Sequence, residues 1–186
     1  MAVSIRSSKD EALEAEEKDE ARWKVYSDGS GIDGKIGASA VLYRDGQEIR
    51  VSRLQLGADT DHTVYEAEGI GISLGLGLLW AERCVEGDVT IAVDSQPAIK
   101  ATTNRRPTPS HYIWDDIHVH AAAVRRKHPE ARITIRWTPG HRDVLGNERA
   151  DEEAKKAAQE GSSRPGAIPP IYRNRVLPVS RSARKQ

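Results

Sequence analysis

Four acids stand where chemistry could gather: Asp28, Glu68, Asp94 and Asp151. Asp28 follows an alternating apolar run, Trp23 and Val25, and precedes Gly29. That pattern predicts a strand ending in an acid and then a tight turn. Asp94 ends a second apolar run, Asp88 to Val93. An Asp-Gly pair by itself is an ordinary turn, so the argument lies in the four acids together. A carboxylate buried without a cation is costly, and several in one place repel each other. Divalent cations cancel that repulsion. Oxygen-rich sites that keep their waters select Mg²⁺, or alternatively Mn²⁺. Two such ions roughly 3.5–4 Å apart can hold both the attacking water and the leaving oxygen of a phosphodiester. His141 lies in Thr138-Pro139-Gly140-His141-Arg142, directly after a predicted strand. With an ordinary pKa of roughly 6.5, its imidazole suits moving protons or releasing product. His62, His111, His118, His120 and His128 read as ordinary exposed side chains. His118 and His120 are two apart on a helix, so they diverge and make a poor metal pair.

The elements that must position these acids follow from periodicity. Trp23 to Asp28, Ile36 to Tyr43 and Glu48 to Leu56 are predicted strands, joined by Gly31-Ile32-Asp33-Gly34 and Arg44-Asp45-Gly46. Short turns between successive strands predict an antiparallel meander. His62 to Arg83 alternates Leu and Ile with Gly69, Gly71, Gly75 and Gly77. The period suggests a strand, but the length suggests a helix. We read a buried helix whose glycines let it lie close on the sheet, with Glu68 in its first turns. Asp88 to Val93 is a strand, Ser95 to Thr102 a short helix, and Ser110 caps a helix to about Lys127. Arg132 to Trp137 is the fifth strand and Asn147 to Gln159 the last helix, carrying Asp151. The order βββαβααβα predicts an α/β fold: a five-stranded mixed sheet, three antiparallel strands then two parallel, with helices on both faces.

Composition bounds the rest. The 186 residues suit one domain with residues over at both ends. Residues 1–22 are an acidic segment without a core face and are expected to be mobile; the domain spans 23–160, and 161–186 is a basic Pro/Ser/Arg tail or linker. Residues 1–24 hold seven acids and five bases, whereas 160–186 hold one acid and six bases. Net charge is zero, so a nucleic acid would have to be held by local patches. No apolar run approaches membrane length and Met1 to Lys9 lacks an apolar signal core. Cys84 is the single cysteine, which fits an intracellular setting, nucleus or cytoplasm.

Taken in order, Ser27-Asp28-Gly29-Ser30, Val64-Tyr65-Glu66-Ala67-Glu68, Val93-Asp94-Ser95-Gln96, Trp137-Thr138-Pro139-Gly140-His141 and Gly146-Asn147-Glu148-Arg149-Ala150-Asp151 resemble the successive motifs of type 1 ribonuclease H. The likeness is greatest to ribonuclease H domains of fungal retroelement polyproteins and covers about Trp23 to Gln159. It implies a ribonuclease H-like fold, metal ligands at Asp28, Glu68, Asp94 and Asp151, and His141 as the loop histidine. It also selects Glu68 over Glu66, which points roughly 200° away on the same helix. The implied reaction cuts the RNA strand of an RNA/DNA hybrid and leaves 5′-phosphate ends. A reverse transcriptase in the same polyprotein is an implied partner, and a membrane is not. Such an enzyme tells the strands apart by 2′-hydroxyls in a minor groove. Ser30, Thr63, Ser95 and Gln96 flank the expected site and could donate to sugar or phosphate. Arg105, Arg106, Arg125, Arg126, Lys127 and the basic tail could hold phosphates. Two other readings are a catalytically silent nucleic-acid-binding module on the same fold, and an exonuclease or integrase-like enzyme on a related one.

Overall fold

A computed structural model describes residues 1–104, 111–140 and 143–185. Its elements in chain order are β1 (Ala2–Ser4), α1 (Lys9–Glu17), β2 (Trp23–Ile32), β3 (Lys35–Arg44), β4 (Gln47–Ala58), α2 (Val64–Ala81), β5 (Gly87–Val93), α3 (Gln96–Ala101), α4 (His111–Lys127), β6 (Ala131–Trp137) and α5 (Leu145–Glu160), with short 3₁₀ turns after α5. The sheet has six strands in the order β1-β6-β5-β2-β3-β4. The meander β2-β3-β4 is antiparallel, and β2, β5, β6 and β1 run parallel. Asp45 and Gly46, both at positive φ, close the β3–β4 hairpin as a two-residue loop. No helix among the described residues is long and apolar enough to cross a membrane.

Two features place the site. First, β2 does not stop at Asp28 as its sequence suggests; it continues to Ile32. From Asp28 onward it pairs with β3 alone, because the parallel ladder to β5 ends at Ser27↔Val93. Asp28 and Asp94 therefore both lie one residue past the last β2–β5 pair. Second, the glycine-rich segment is a helix, buried along most of its length. Its glycines serve distinct neighbours. A Cβ on Gly71 would lie 3.0 Å from the Ser39 carbonyl oxygen, and one on Gly75 would lie 2.6 Å from Val25 Cγ1. Gly69 faces Trp114 and Ile113 of α4. The helix thus sits backbone-close on the sheet on one side and on α4 on the other.

α5 covers the opposite face. Its buried stripe is small, with Ala150, Ala154, Ala157 and Ala158, and a Cβ on Gly37 of β3 would lie 2.3 Å from the Ala158 nitrogen. Ser39 Oγ donates to the Ala150 carbonyl at 2.6 Å. The Tyr26 ring lies against Gly146 at the start of the helix.

Both flanks pack on this core, which patterning does not show. In residues 1–20 the sixth strand, β1, extends the sheet beside β6. The helix that follows buries only Ala12 and is held by polar contacts instead. Tyr26 OH donates to Glu16 Oε1 at 2.6 Å, and Arg136 pairs with Glu16 and Asp19. Residues 161–185 form a strap over α2 and α4. Ile168, Tyr172, Leu177 and Ala183 are buried, Pro169 lies on Gly77, and Arg175 Nη1 pairs with Asp116 Oδ2 at 2.6 Å. Each anchor is a single side chain on an irregular turn, so no period marks it.

Gly37→Ala is expected to push α5 off β3, since the added carbon meets backbone that cannot rotate away. Urea unfolding should show a loss of about 1–3 kcal/mol; unchanged stability would mean that the helix does not pack this closely.

Candidate active site

Asp28, Glu68 and Asp94 converge: one oxygen from each lies within 4.8 Å of the others. Three local arrangements bring this about. Asp28 and Asp94 emerge side by side where the parallel ladder ends. Glu68 arrives from α2, whose first turns pass directly over Gly29; a Cβ there would lie 2.6 Å from the Glu68 nitrogen. The start of α2 is fixed by a capping box. Thr63 Oγ1 accepts from the Glu66 N–H, and the Thr63 N–H donates to Glu66 Oε2 at 2.8 Å. Glu66 is thus committed to the cap, and Glu68 faces the acids. Asp151, on α5, acts on Asp28 by charge and hydrogen bonding, while its Oδ2 accepts from Lys155 Nζ at 2.6 Å. The tightest group is therefore three carboxylates with Asp151 beside it.

The electrostatics are those of an anion cluster kept from water. Asp28 is 6% and Glu68 8% exposed. Burial, then the charge of Asp94, pushes the Asp28 carboxyl up to about 7. Burial, then the charges of Asp28 and Asp94, pushes Glu68 up to about 10. The Gly29 N–H, donating to Asp28 Oδ1 at 2.8 Å, opposes this for Asp28, and so does the charge of Lys155. Glu68 Oε2 is buried with no hydrogen-bond partner among the described residues. An orphaned carboxylate oxygen facing two further carboxylates is a donor set that fits a hard divalent cation.

The β6 end borders the cluster. Trp137 Nε1 donates to the Asp94 carbonyl at 3.0 Å and the Thr138 N–H to the Val93 carbonyl at 2.9 Å. A Cβ on Gly140 would lie 2.7 Å from Asp94 Oδ2, so the loop that leads to His141 starts in contact with Asp94. His141 itself, like Arg105, Arg106 and the expected cap Ser110, lies outside the described residues. Among the expected substrate donors, Thr63 and Ser95 cap α2 and α3. Ser30 is buried on β2, and Gln96 opens α3 partly exposed.

The exposed reading fails for three histidines. His62 is buried against Gly57. His128 is buried because it joins helix ends: Nδ1 accepts from the Val85 N–H at 3.3 Å and Nε2 lies 3.2 Å from the Leu79 carbonyl. His120 Nδ1 lies 2.8 Å from Ser73 Oγ, and burial holds its pKa below the usual value. Several basic groups expected on phosphates are also engaged structurally, as Lys127 Nζ is with the Trp80 carbonyl at 2.6 Å.

The fold has counterparts among known proteins. The sequence model of the RNase H family matches residues 20–159. No curated protein is similar enough in sequence to match. Among solved structures, LC11-RNase H1 in complex with an RNA/DNA hybrid superposes with a TM-score of 0.56 at 18% identity, covering 74% of this chain and 97% of that one. RNase H1 from the halophilic archaeon Halobacterium salinarum gives 0.51 at 20% identity, covering 75% and 99%. A foamy viral protease-reverse transcriptase in complex with an RNA/DNA hybrid gives 0.58 at 18% identity; 74% of this chain matches 20% of that one. These likenesses show a shared fold.

The raised carboxyls make a signed prediction for the metal-free protein. In the unfolded chain Asp and Glu titrate near 3.9 and 4.3, so between about pH 4 and the folded values of about 7 and about 10 the native state holds more protons. Its stability therefore falls as pH rises through that window. In chelator at pH 8, Asp28→Asn should raise stability by about 1–3 kcal/mol, or roughly 3–10 °C in Tm. Below about pH 4 the gain should disappear. A variant less stable than wild type at pH 8 would count against stored repulsion.

Proposed function

Because the chain belongs to the RNase H family, we propose that it is a ribonuclease that hydrolyses the RNA strand of RNA/DNA hybrids. The observation that carries this reading is the convergence of Asp28, Glu68 and Asp94, two of them buried and pushed towards protonation, at one end of the parallel strands. A structural role does not account for such a cluster, since the acids oppose folding when no cation is bound. These three residues, with Asp151 beside Asp28, would hold two Mg²⁺ ions, or Mn²⁺. Bound there, the ions would supply Lewis-acid stabilisation of the attacking and leaving oxygens, with 5′-phosphate ends as product.

The chain's own groups do the rest. The capping box and Gly29 hold Glu68 against Asp28 before any ion arrives. Lys155 Nζ donates to Asp151 Oδ2 and so orients the carboxylate that would take a cation. His141, by its place in the family's loop motif, handles protons or product release. Ser95 Oγ accepts from the Ala98 N–H at 3.4 Å, which leaves its proton to donate to a sugar or phosphate oxygen. Ser30 and Gln96 are further donors beside the acids. Thr63, which accepts from Glu66 and lies 3.2 Å from its Oε2, has less to offer. We place the catalytic domain at residues 23–160 and assign it to retroelement reverse transcription, alongside a reverse transcriptase. Free, exposed Cys84 suits a reducing interior such as nucleus or cytoplasm.

A strand-labelled hybrid incubated with Mg²⁺ tests this. The RNA strand should be cut, cleavage should stop in chelator, and Asp94→Asn should lower kcat on the order of 100–1,000-fold. An intact hybrid after incubation with folded wild-type protein would sink the reading and favour a silent binding module; equal cutting of duplex DNA would favour a broader nuclease.

A further inference from the structure

We propose that the C-terminal strap is part of the substrate grip: Arg181 and Arg184 contact the phosphate backbone of the nucleic acid bound at the carboxylate site. The proposal rests on the reading of that site given above. It starts from a cavity of about 780 Å³ at the N-terminus of α2, lined by Gly31, Thr63, Tyr65, Asn104, Ser180 and Ser182 among others. Thr63 precedes Glu68 by five residues, which is about 7.5 Å along a helix. Gly31 lies three residues beyond Asp28 on β2. The cavity is therefore the next space a polynucleotide lying across the acids would meet, at roughly one nucleotide's remove.

Its own charge is wrong for a polyanion. No lysine or arginine is among the described residues that line it, whereas Asp33 and Asp59 are. Cations must come from the rim, and the strap supplies them. Arg181 stands between the two lining serines and Arg184 follows within the same turn, its N–H lying 3.5 Å from the Ser180 carbonyl. Both arginines are exposed, and neither joins an ion pair among the described residues. The turn that carries them is fixed: the Ser180 N–H donates to the Asp61 carbonyl at 2.8 Å, just ahead of α2, and Ala183 is buried.

Several other basic side chains are spent or misplaced, whereas exposed Lys35, between the lining residues Gly34 and Ile36, is a further cation on the same rim. Arg175 is paired with Asp116, and Arg173 Nε donates to the Ile168 carbonyl at 2.9 Å. Arg125 and Arg126 sit where α4 ends, next to His128, which lies against Leu79. Leu79 is eleven residues past Glu68, about 16 Å along α2 and away from the acids. Exposed arginines without carboxylate partners, held rigidly at the rim of a cavity beside the active site, are placed for phosphate contact.

Binding without turnover tests the proposal. The full chain is titrated against a fluorescent RNA/DNA hybrid in chelator over a range of salt. Arg181→Ala with Arg184→Ala should weaken binding about 5–50-fold at 0.1 M salt and reduce the slope of log K against log salt by about 2. The double lysine variant should keep most of the affinity, and all variants should melt like wild type. Arg132→Ala, exposed at the start of β6 and so at the far end of the parallel strands, should bind like wild type. Unchanged affinity and slope in the double alanine variant would overturn the proposal, as would an equal loss in Arg132→Ala or a wild-type protein that binds no hybrid. Wild-type protein that binds through these arginines yet cuts nothing with Mg²⁺ would overturn the hydrolytic reading and leave the strap's role supported.

Discussion

Like charges held together away from water are the constraint on which this structure turns. Asp28, Glu68 and Asp94 sit within 4.8 Å of one another in a place where their ionised forms are disfavoured by both burial and proximity. Left to itself such a cluster would splay apart. It stays because each acid is attached to something that cannot yield. Asp28 and Asp94 are the next residues after paired strand positions, and Glu68 is one turn inside a capped helix. The glycines follow from the same demand: at Gly29 a side chain would strike the Glu68 backbone, and at Gly140 it would strike the Asp94 carboxylate.

The parts legible in the sequence were those written in short repeats or fixed strings. The meander from Trp23 to Leu56 alternates cleanly and its Asp45-Gly46 turn is diagnostic. Asp28 and Asp94 could be singled out because they close apolar runs, and Glu68 and Asp151 because they belong to fixed strings. The helix from Val64 to Ala81 was harder, since its glycines mimic a period of two. They prove to be contact points on three sides: sheet, α4 and strap. The end of β2 was misplaced because Gly29 looks like a stop, whereas the strand runs on against β3 alone.

What the sequence hid was polar or aperiodic. The first twenty residues have almost no large apolar side chains, so nothing in their pattern announces a helix docked through Glu16 and Asp19 onto Arg136 and Tyr26. Such anchoring depends on partners more than a hundred residues away for Arg136. The strap fails the same test for another reason. Ile168, Tyr172 and Leu177 are buried one by one on irregular backbone, and a proline-rich, basic composition disguises them. His128 was likewise indistinguishable from a surface residue until the helix ends it joins were in place, and His62 until it lay against Gly57.

Strand β2 presents its two sides to different halves of the molecule. Val25, Ser27 and Gly29 meet α2, while Tyr26 meets the start of α5. The site takes Glu68 from the first layer and Asp151 from the second, with Asp28 between them on the shared strand. Neither half can assemble it alone. A partly folded chain that has formed one layer, however native-like, brings together only part of the set proposed to hold the ions. Gathering of the four acids thus requires that folding has finished on both sides of the sheet, so the site cannot precede the fold that carries it.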